Sequence, residues 1–366
     1  SLIKRLPGKP VILGGGGCYA PAIFDGMVDG ICVGEGRQFV HTLIAEGLDV
    51  ALRLPNAWVT GETRTVIPDN EFPWDIPPVI HPDKTTRLFG ARGCRSRCLF
   101  CQTGWERQYT ANPDQSGLAL SMEHLRRIGH NPVIVTNDGA DTPAVMSSFS
   151  KFLSMKVDGA ARLLQQGLSR HHTRSVRFGI EGVSERLRKA VGKPITDARL
   201  ASVVDEMFKR GIGVTLFFIA GLPGEAEEDW LMLRELINRF RQMSKGCVMC
   251  TFHAFIPQPA TPLCVLPLQD TYWEHFEEFR RWFFHVPGFT RRVQMIAPAQ
   301  YAGRLKRACE AMAATEQELR RGWFGTDNRN WRVKYLAGPE RLRAIARTYA
   351  QHLGLSIPGP DAPEVK

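Results

Sequence analysis

The stretch Gly90-Ala91-Arg92-Gly93-Cys94-Arg95-Ser96-Arg97-Cys98-Leu99-Phe100-Cys101-Gln102-Thr103-Gly104 decides how the rest of the chain is read. Its three cysteines follow a strand-like run at residues 87–91 in the spacing C-x3-C-x2-C. Three thiolates can hold three irons of a [4Fe-4S] cluster, whose usual complement is four cysteines. The fourth iron then stays open, and an open coordination position marks a reactive site as opposed to a structural one. Zinc would require four ligands, and no nearby cysteine or histidine completes such a set. Arg92, Arg95 and Arg97 are expected to favour thiolates and an anionic cluster beside them. A second pair, Cys247 and Cys250, sits at the start of a strand, where positions i and i+3 face opposite sides. It reads as packing.

Outward from the cysteines, strand-like runs at 87–91, 133–136, 176–180, 214–220 and 248–255 alternate with helix-like runs such as 121–128, 184–191 and 198–210. This rhythm implies a parallel sheet flanked by helices, with chemistry at the carboxyl ends of the strands. Upstream, Val11-Ile12-Leu13 runs into Gly14 to Gly17, and a second strand near 30–33 ends in Gly34-Glu35-Gly36. That grammar belongs to an open α/β sheet, yet only about a third of a complete domain carries it. Four regions are therefore expected: an α/β fragment at 1–54, a proline-rich linker at 55–84, an α/β unit at 85–265, and a helical, basic region at 266–366.

Composition sets the outer limits. The chain has 366 residues, 43% apolar and 23% charged, which suits a soluble globular protein of one large domain with appendages or of two domains. No apolar run approaches the ~18 residues of a membrane span. The basic start, residues 1–9, meets glycines instead of an apolar stretch, so no signal peptide is expected and the reading is cytoplasmic. Nine cysteines, three of them crowded together, favour metal chemistry in a reducing compartment over a disulfide framework. Net charge is +10. Residues 276–350 hold 15 Lys plus Arg against 7 Asp plus Glu, an excess of +8. With Trp282, Trp323, Trp331 and Tyr335 among these arginines, the segment suits a nucleic acid or nucleotide; the competing reading is a solvated helical face.

At the cysteines, with Phe100 before the last one, the sequence resembles the radical S-adenosylmethionine (SAM) superfamily. Val176-Arg-Phe-Gly-Ile-Glu181-Gly-Val-Ser184 with Leu187-Arg188 and Gly192-Lys193-Pro194 is similar to the fourth strand and following helix of the branch that includes cobalamin-binding radical SAM enzymes and methylthiotransferases. Phe217-Phe-Ile-Ala-Gly221-Leu222-Pro223-Gly224-Glu225 resembles the fifth-strand glycine motif, and the segment from Phe255 to Leu263 the end of the sixth strand. The resemblance implies a partial (β/α)6, TIM-like barrel. It also implies SAM chelated to the open iron and cleaved by one electron to methionine and a 5′-deoxyadenosyl radical, with an external donor of flavodoxin or ferredoxin type.

Carried over by motif, Cys94, Cys98 and Cys101 would hold the cluster. Asn137, Asp138 and Gly139 stand where the family has Gly-Gly-Glu, and Asp138 would meet the SAM ammonium. Period-2 alternation puts Arg177, Gly179 and Glu181 on one strand face, from which Glu181 would accept from ribose hydroxyls or a substrate amine. Lys193 and Arg188 are candidates for the SAM carboxylate. Gly221, Leu222 and Pro223 would let backbone approach the adenine. The N-terminal fragment resembles the closing third of a cobalamin-binding domain but lacks the Asp-x-His-x-x-Gly motif, which argues against cobalamin. The leading expectation is hydrogen abstraction from a nucleic-acid base or nucleotide. The alternatives are a cobalamin-dependent methylase, a methylthiotransferase-like enzyme, or a non-catalytic iron–sulfur scaffold.

Overall fold

A computed structural model of the chain describes residues 8–15, 18, 21–24, 26–62, 64–74, 79–80, 82, 84–135, 150–243, 246–255, 258, 261–266, 272–285, 293–296 and 339–355. The first sheet joins β1 (Ile12–Leu13), β2 (Gly30–Cys32) and β3 (Ala57–Val59), with β2 parallel to β1 and antiparallel to β3. The stretch expected as a linker thus supplies a strand. Trp58, fully buried beside Val28, Ile31 and Val33, gives that strand its reason to pair.

A second sheet sets β4 (Val79–Ile80) antiparallel, and β8 (Asn131–Val135) parallel, to β5 (Thr85–Phe89). Between β5 and β8, β6 (Ala91–Arg92) and β7 (Thr110–Ala111) pair antiparallel and close the base of the cysteine loop. The helix Gln115–Arg127 then returns the chain to β8. Its Asp114 cap accepts from Gly117 N–H at 2.7 Å, satisfying a donor the first turn cannot.

The largest sheet runs β13-β12-β11-β10-β9, every neighbour parallel: β9 (Ser150–Met155), β10 (Thr173–Glu181), β11 (Gly213–Ala220), β12 (Val248–Ala254) and β13 (Val293–Ile296). Alternation decides its faces. Val176, Phe178 and Ile180 of β10, and Val214, Leu216, Phe218 and Ala220 of β11, are buried in the main core with Leu200, Val204 and Leu233 of the helices Asp197–Lys209 and Glu227–Gln242. The residues between them, including Arg177, Gly179 and Glu181 of β10, stand on the opposite and less buried face, as the period-2 reading expected. Burying a side chain such as Phe218 or Phe252 is worth about 1.5–3 kcal/mol. Trp230 closes that layer against Phe252, Phe276 and Phe279, with ring centroids 5.3–6.0 Å away.

In the largest sheet, two strands escaped the sequence reading. β9, Ser-Lys-Phe-Leu-Ser-Met, lacks a β-branched run, and register with β10 from Thr173↔Ser150 to Phe178↔Met155 makes it a strand. β13 lies in the region expected to be helical, and pairing of Val248 with Val293 through Thr251 with Ile296 recruits it to the sheet.

Candidate functional site at the strand ends

The cysteine loop leaves β6 and is pinned by its own glycines and by both neighbouring strand ends. Gly93 has φ +67°, and a Cβ there would lie 2.6 Å from Gln108 O, so the loop's two limbs touch only because the side chain is absent. Trp105, on the helical turn Thr103–Glu106, donates from Nε1 to Cys98 O at 3.0 Å. Leu99 N–H donates to Val191 O at 3.0 Å, and Leu263 N–H to Leu99 O at 3.1 Å. Gln102 N–H reaches Gln258 Oε1 at 2.8 Å. The loop therefore sits between the turn after β10 and the segment after β12.

Cys94, Cys98 and Cys101 form no disulfide, with Cys98 buried and the other two half-buried. Burial pushes the Cys98 thiol up to about 11, and Cys101, Cys94 and Glu181 add to the rise while Lys193 opposes it. Cys94 and Cys101 lie close enough to Cys98 to raise its pKa, so the three thiols form one donor set that positive charge would stabilise once deprotonated. Among the described residues no three His, Cys, Asp or Glu side chains converge as a single metal ion would require. Thiolates on a polynuclear cluster bind different corners of it, and three cysteines in the spacing C-x3-C-x2-C are the donor type such a cluster takes.

A cation that acts on Cys98 is Lys193, which the sequence had offered for the SAM carboxylate. Its Nζ donates to Glu181 Oε1 at 2.8 Å and to Gly179 O at 2.9 Å, and lies 5.9 Å from the Phe100 ring centroid. Burial alone would lower the Lys193 pKa, but the opposing attraction of Glu181, Cys98 and Cys101 leaves it raised, so the ammonium stays charged. Glu181 ends β10 with φ +69°, a left-handed conformation rare outside glycine, where the register with β11 slips between Gly179 and Glu181. The bulge turns its carboxylate back over Gly179, where a Cβ would collide with Glu181 Oε1.

The arginines are placed otherwise than expected. Arg92 pairs with Glu35, Arg95 lies over the Tyr109 ring at 4.9 Å, and Arg97 lies over Trp105 at 5.8 Å. Lys193 is the cation that lowers the Cys98 pKa. Arg188 is fully buried and serves the fold: Nε donates to Ile195 O at 2.7 Å, Nη1 to Gly182 O at 3.3 Å, and Nη2 pairs with Asp197. It is drawn away from the Lys193 group.

Gly221, at φ +85°, begins the turn after β11. Both Glu225 carboxylate oxygens accept from its N–H at 3.1 Å, and Oε1 also accepts from Trp230 Nε1 at 3.0 Å. Leu222 and Pro223 are buried, which the open-backbone expectation had not foreseen. The helix Pro339–His352 covers them: Tyr349 Oη donates to Pro223 O at 2.6 Å, and Leu222 packs with Val191, Phe255, Leu263, Ala346, Tyr349 and Ala350. Phe100 joins the same apolar group, so Leu222 and Phe100 form one wall.

Asn137, Asp138 and Gly139 lie outside the described residues, as do Arg291, Arg292, Trp323, Trp331 and Tyr335 of the basic segment. Trp282, expected among stacking aromatics, packs on the main core with Arg234 and Arg241 over its ring at 5.5 and 5.0 Å. Cys250 is buried in that core, consistent with packing, and burial raises its pKa. No helix among the described residues is long and apolar enough to cross a membrane.

No protein-family model matches the chain, and no curated protein matches its sequence. Among solved structures it is similar to the radical S-adenosylmethionine methyltransferase TsrM from Kitasatospora setae with tryptophan substrate and a SAM analogue bound, at 15% identity and TM-score 0.48, over 70% of this chain and 58% of that one. TsrM with cobalamin and a [4Fe-4S] cluster bound gives 14% and 0.49, over 95% and 72%. The cobalamin-dependent SAM radical enzyme OxsB with aqua-cobalamin bound gives 15% and 0.47, over 82% and 48%. The chain thus spans less than two thirds of the first and third of these. The sequence reading against cobalamin gains no support from such neighbours.

Proposed function

We propose that the chain is a radical SAM enzyme of partial (β/α)6 barrel architecture that holds a [4Fe-4S] cluster on Cys94, Cys98 and Cys101. The observation that carries this is convergence. The three thiols and Phe100 lie in the loop just after β5 and β6, the Lys193–Glu181 pair follows β10 and Leu222 follows β11, and parallel sheets place their ligands at such strand ends. When bound, the cluster supplies the electron that cleaves SAM to methionine and a 5′-deoxyadenosyl radical.

The chain's own groups then have definite tasks. Lys193 keeps a positive charge beside Cys98 and Cys101, offsetting the charge of deprotonated thiols. Glu181 Oε1 is held by Lys193, which leaves Oε2 to accept from a ribose hydroxyl or an amine. Phe100 and Leu222 exclude water from the apolar side, which strengthens those polar contacts. Asp138 is retained as the group for the SAM ammonium. A nucleic-acid base or nucleotide is the proposed substrate, supported by the +8 charge of residues 276–350, and the electron arrives from an external donor of flavodoxin or ferredoxin type.

The test is anaerobic reconstitution with iron and sulfide, then incubation with SAM and a reductant. The expected result is a brown chromophore with 5′-deoxyadenosine as product, both lost when any one of the three cysteines becomes Ala. Mass spectrometry of nucleic acids from the source would report a new base. Full cluster content and SAM cleavage in the triple Ala variant would overturn the reading.

A further inference from the structure

The loop that carries the three cysteines has a neck. Ala91 and Arg92 pair with Ala111 and Thr110, and Gly93 abuts Gln108. Two arginines stand there, Arg92 on one limb and Arg107 on the other. Both are half-buried, and Arg92 is fixed over the Phe72 ring at 4.6 Å and the Phe89 ring at 5.4 Å. Two guanidinium groups held together in a half-buried place repel each other unless an anion lies between them.

That anion comes from the N-terminal sheet. Glu35 Oε1 pairs with Nη2 of Arg92 and with Nη1 of Arg107. Its backbone is held in place on both sides. Gly34, at φ +94°, lies so close to Asp69 that a Cβ would collide with Asp69 O, and Glu35 N–H donates to that same oxygen at 2.8 Å. Glu35 O accepts from Asn56 Nδ2 at 3.3 Å. Apolar contact follows the same path, because Trp105, which bonds Cys98 O, packs in one core with Val28, Ile31, Val33 and Trp58 of the N-terminal sheet. Glu106 beside it is pushed up to about 7 by burial, with Arg107 and Arg92 opposing the rise.

We propose that Glu35 is a positioning residue for the cysteine loop: it pairs with Arg92 and Arg107 together, closes the loop's neck and balances its charge. The N-terminal sheet thereby becomes part of the site's framework. The redox consequence rests on the radical SAM reading, whereas the clamp itself is measurable in the metal-free chain.

The experiment compares Glu35→Gln, Glu35→Asp and the double variant Glu35→Gln/Arg107→Gln with the wild type. In metal-free protein, alkylation by iodoacetamide is followed at each cysteine by mass spectrometry. In Glu35→Gln the Cys98 rate should rise roughly tenfold, the ratio that matches about 1.4 kcal/mol of easier opening. Cys250, buried in the main core away from Glu35, should keep its rate, which a general loss of folding would not allow. Glu35→Asp should restore part of the protection, and the double variant should restore it by removing the repulsion.

In reconstituted protein, iron loss to a chelator should accelerate roughly 10- to 100-fold in Glu35→Gln, as for other groups that orient metal ligands. The midpoint potential should become more positive, because unbalanced arginines stabilise the more negative, reduced form. Unchanged Cys98 alkylation in Glu35→Gln would overturn the clamp, as would equal exposure of all the cysteines. If the wild type assembles no cluster, the radical SAM reading falls and the alkylation result still decides the clamp.

Discussion

Replacing Glu225 with Gln should remove this carboxyl group's own share of the chain's pH-dependent stability, on the order of 4 kcal/mol between pH 5 and pH 8. Glu225 is buried, and burial raises its pKa from 4.5 to about 8 against the hydrogen bonds from Gly221 and Trp230 that favour the carboxylate. The folded state therefore holds a proton that the unfolded chain has already released above pH 4.5. Stability falls as pH rises wherever the native state binds more protons, so the wild type is expected to weaken steadily from about pH 4.5 to pH 8 and then level off. At about 1.4 kcal/mol per pH unit, the accumulated loss is on the order of 4–5 kcal/mol. Gln keeps an acceptor for Gly221 and Trp230 and carries no charge, so its variant should match the wild type near pH 5 and exceed it at pH 8. Urea midpoints collected across this range on both proteins measure the difference. Parallel curves would refute the assignment of a raised pKa to this carboxyl group.

Arg188→Met should destabilise the fold by roughly 3–5 kcal/mol, because it strands Asp197 beside a buried gap. SAM affinity in the folded fraction should stay unchanged, as equilibrium dialysis would show, since Arg188 is spent on Ile195, Gly182 and Asp197. For the basic segment, log K for single-stranded nucleic acid should fall with log salt at about −0.7 per phosphate neutralised. Changing Arg291, Arg292, Arg320 and Arg321 to Gln should flatten that slope while SAM cleavage continues; binding of equal strength in the quadruple variant would reduce the segment to a solvated face.

What could be read in the sequence was local. The cysteine spacing needs no partner to be recognised, and alternation along 173–181 and 213–220 is carried by the residues themselves. Alternation also put Glu181 on the correct face, but it could not reveal the bulge and left-handed turn that fold the carboxylate back onto Lys193. Arg188 and Lys193 look equivalent in sequence, and only the loop at 191–197 decides which is buried in the fold and which faces the thiols. Glu35 was visible merely as part of a glycine turn. Its partners lie 57 and 72 positions away, and long-range ion pairs leave no periodic trace. β13 was missed because a four-residue edge strand owes its existence to β12 more than to its own composition.

The helix Pro339–His352 has a consequence for biosynthesis. It lies over the turn after β11, and Gly224 must lack a side chain because a Cβ would come within 2.8 Å of Leu353. Leu222, Phe255, Leu263 and Leu266 are all translated by residue 266, whereas their cover begins at residue 339, 73 positions later. At about 5–20 residues per second, a ribosome leaves that apolar floor open for roughly 4–15 seconds. During this interval a nascent chain displays a hydrophobic patch next to three unprotected thiols. On the proposed reading, iron and sulfur are best delivered after this interval, and a ribosome stalled between 266 and 339 would present a substrate for chaperones and proteases.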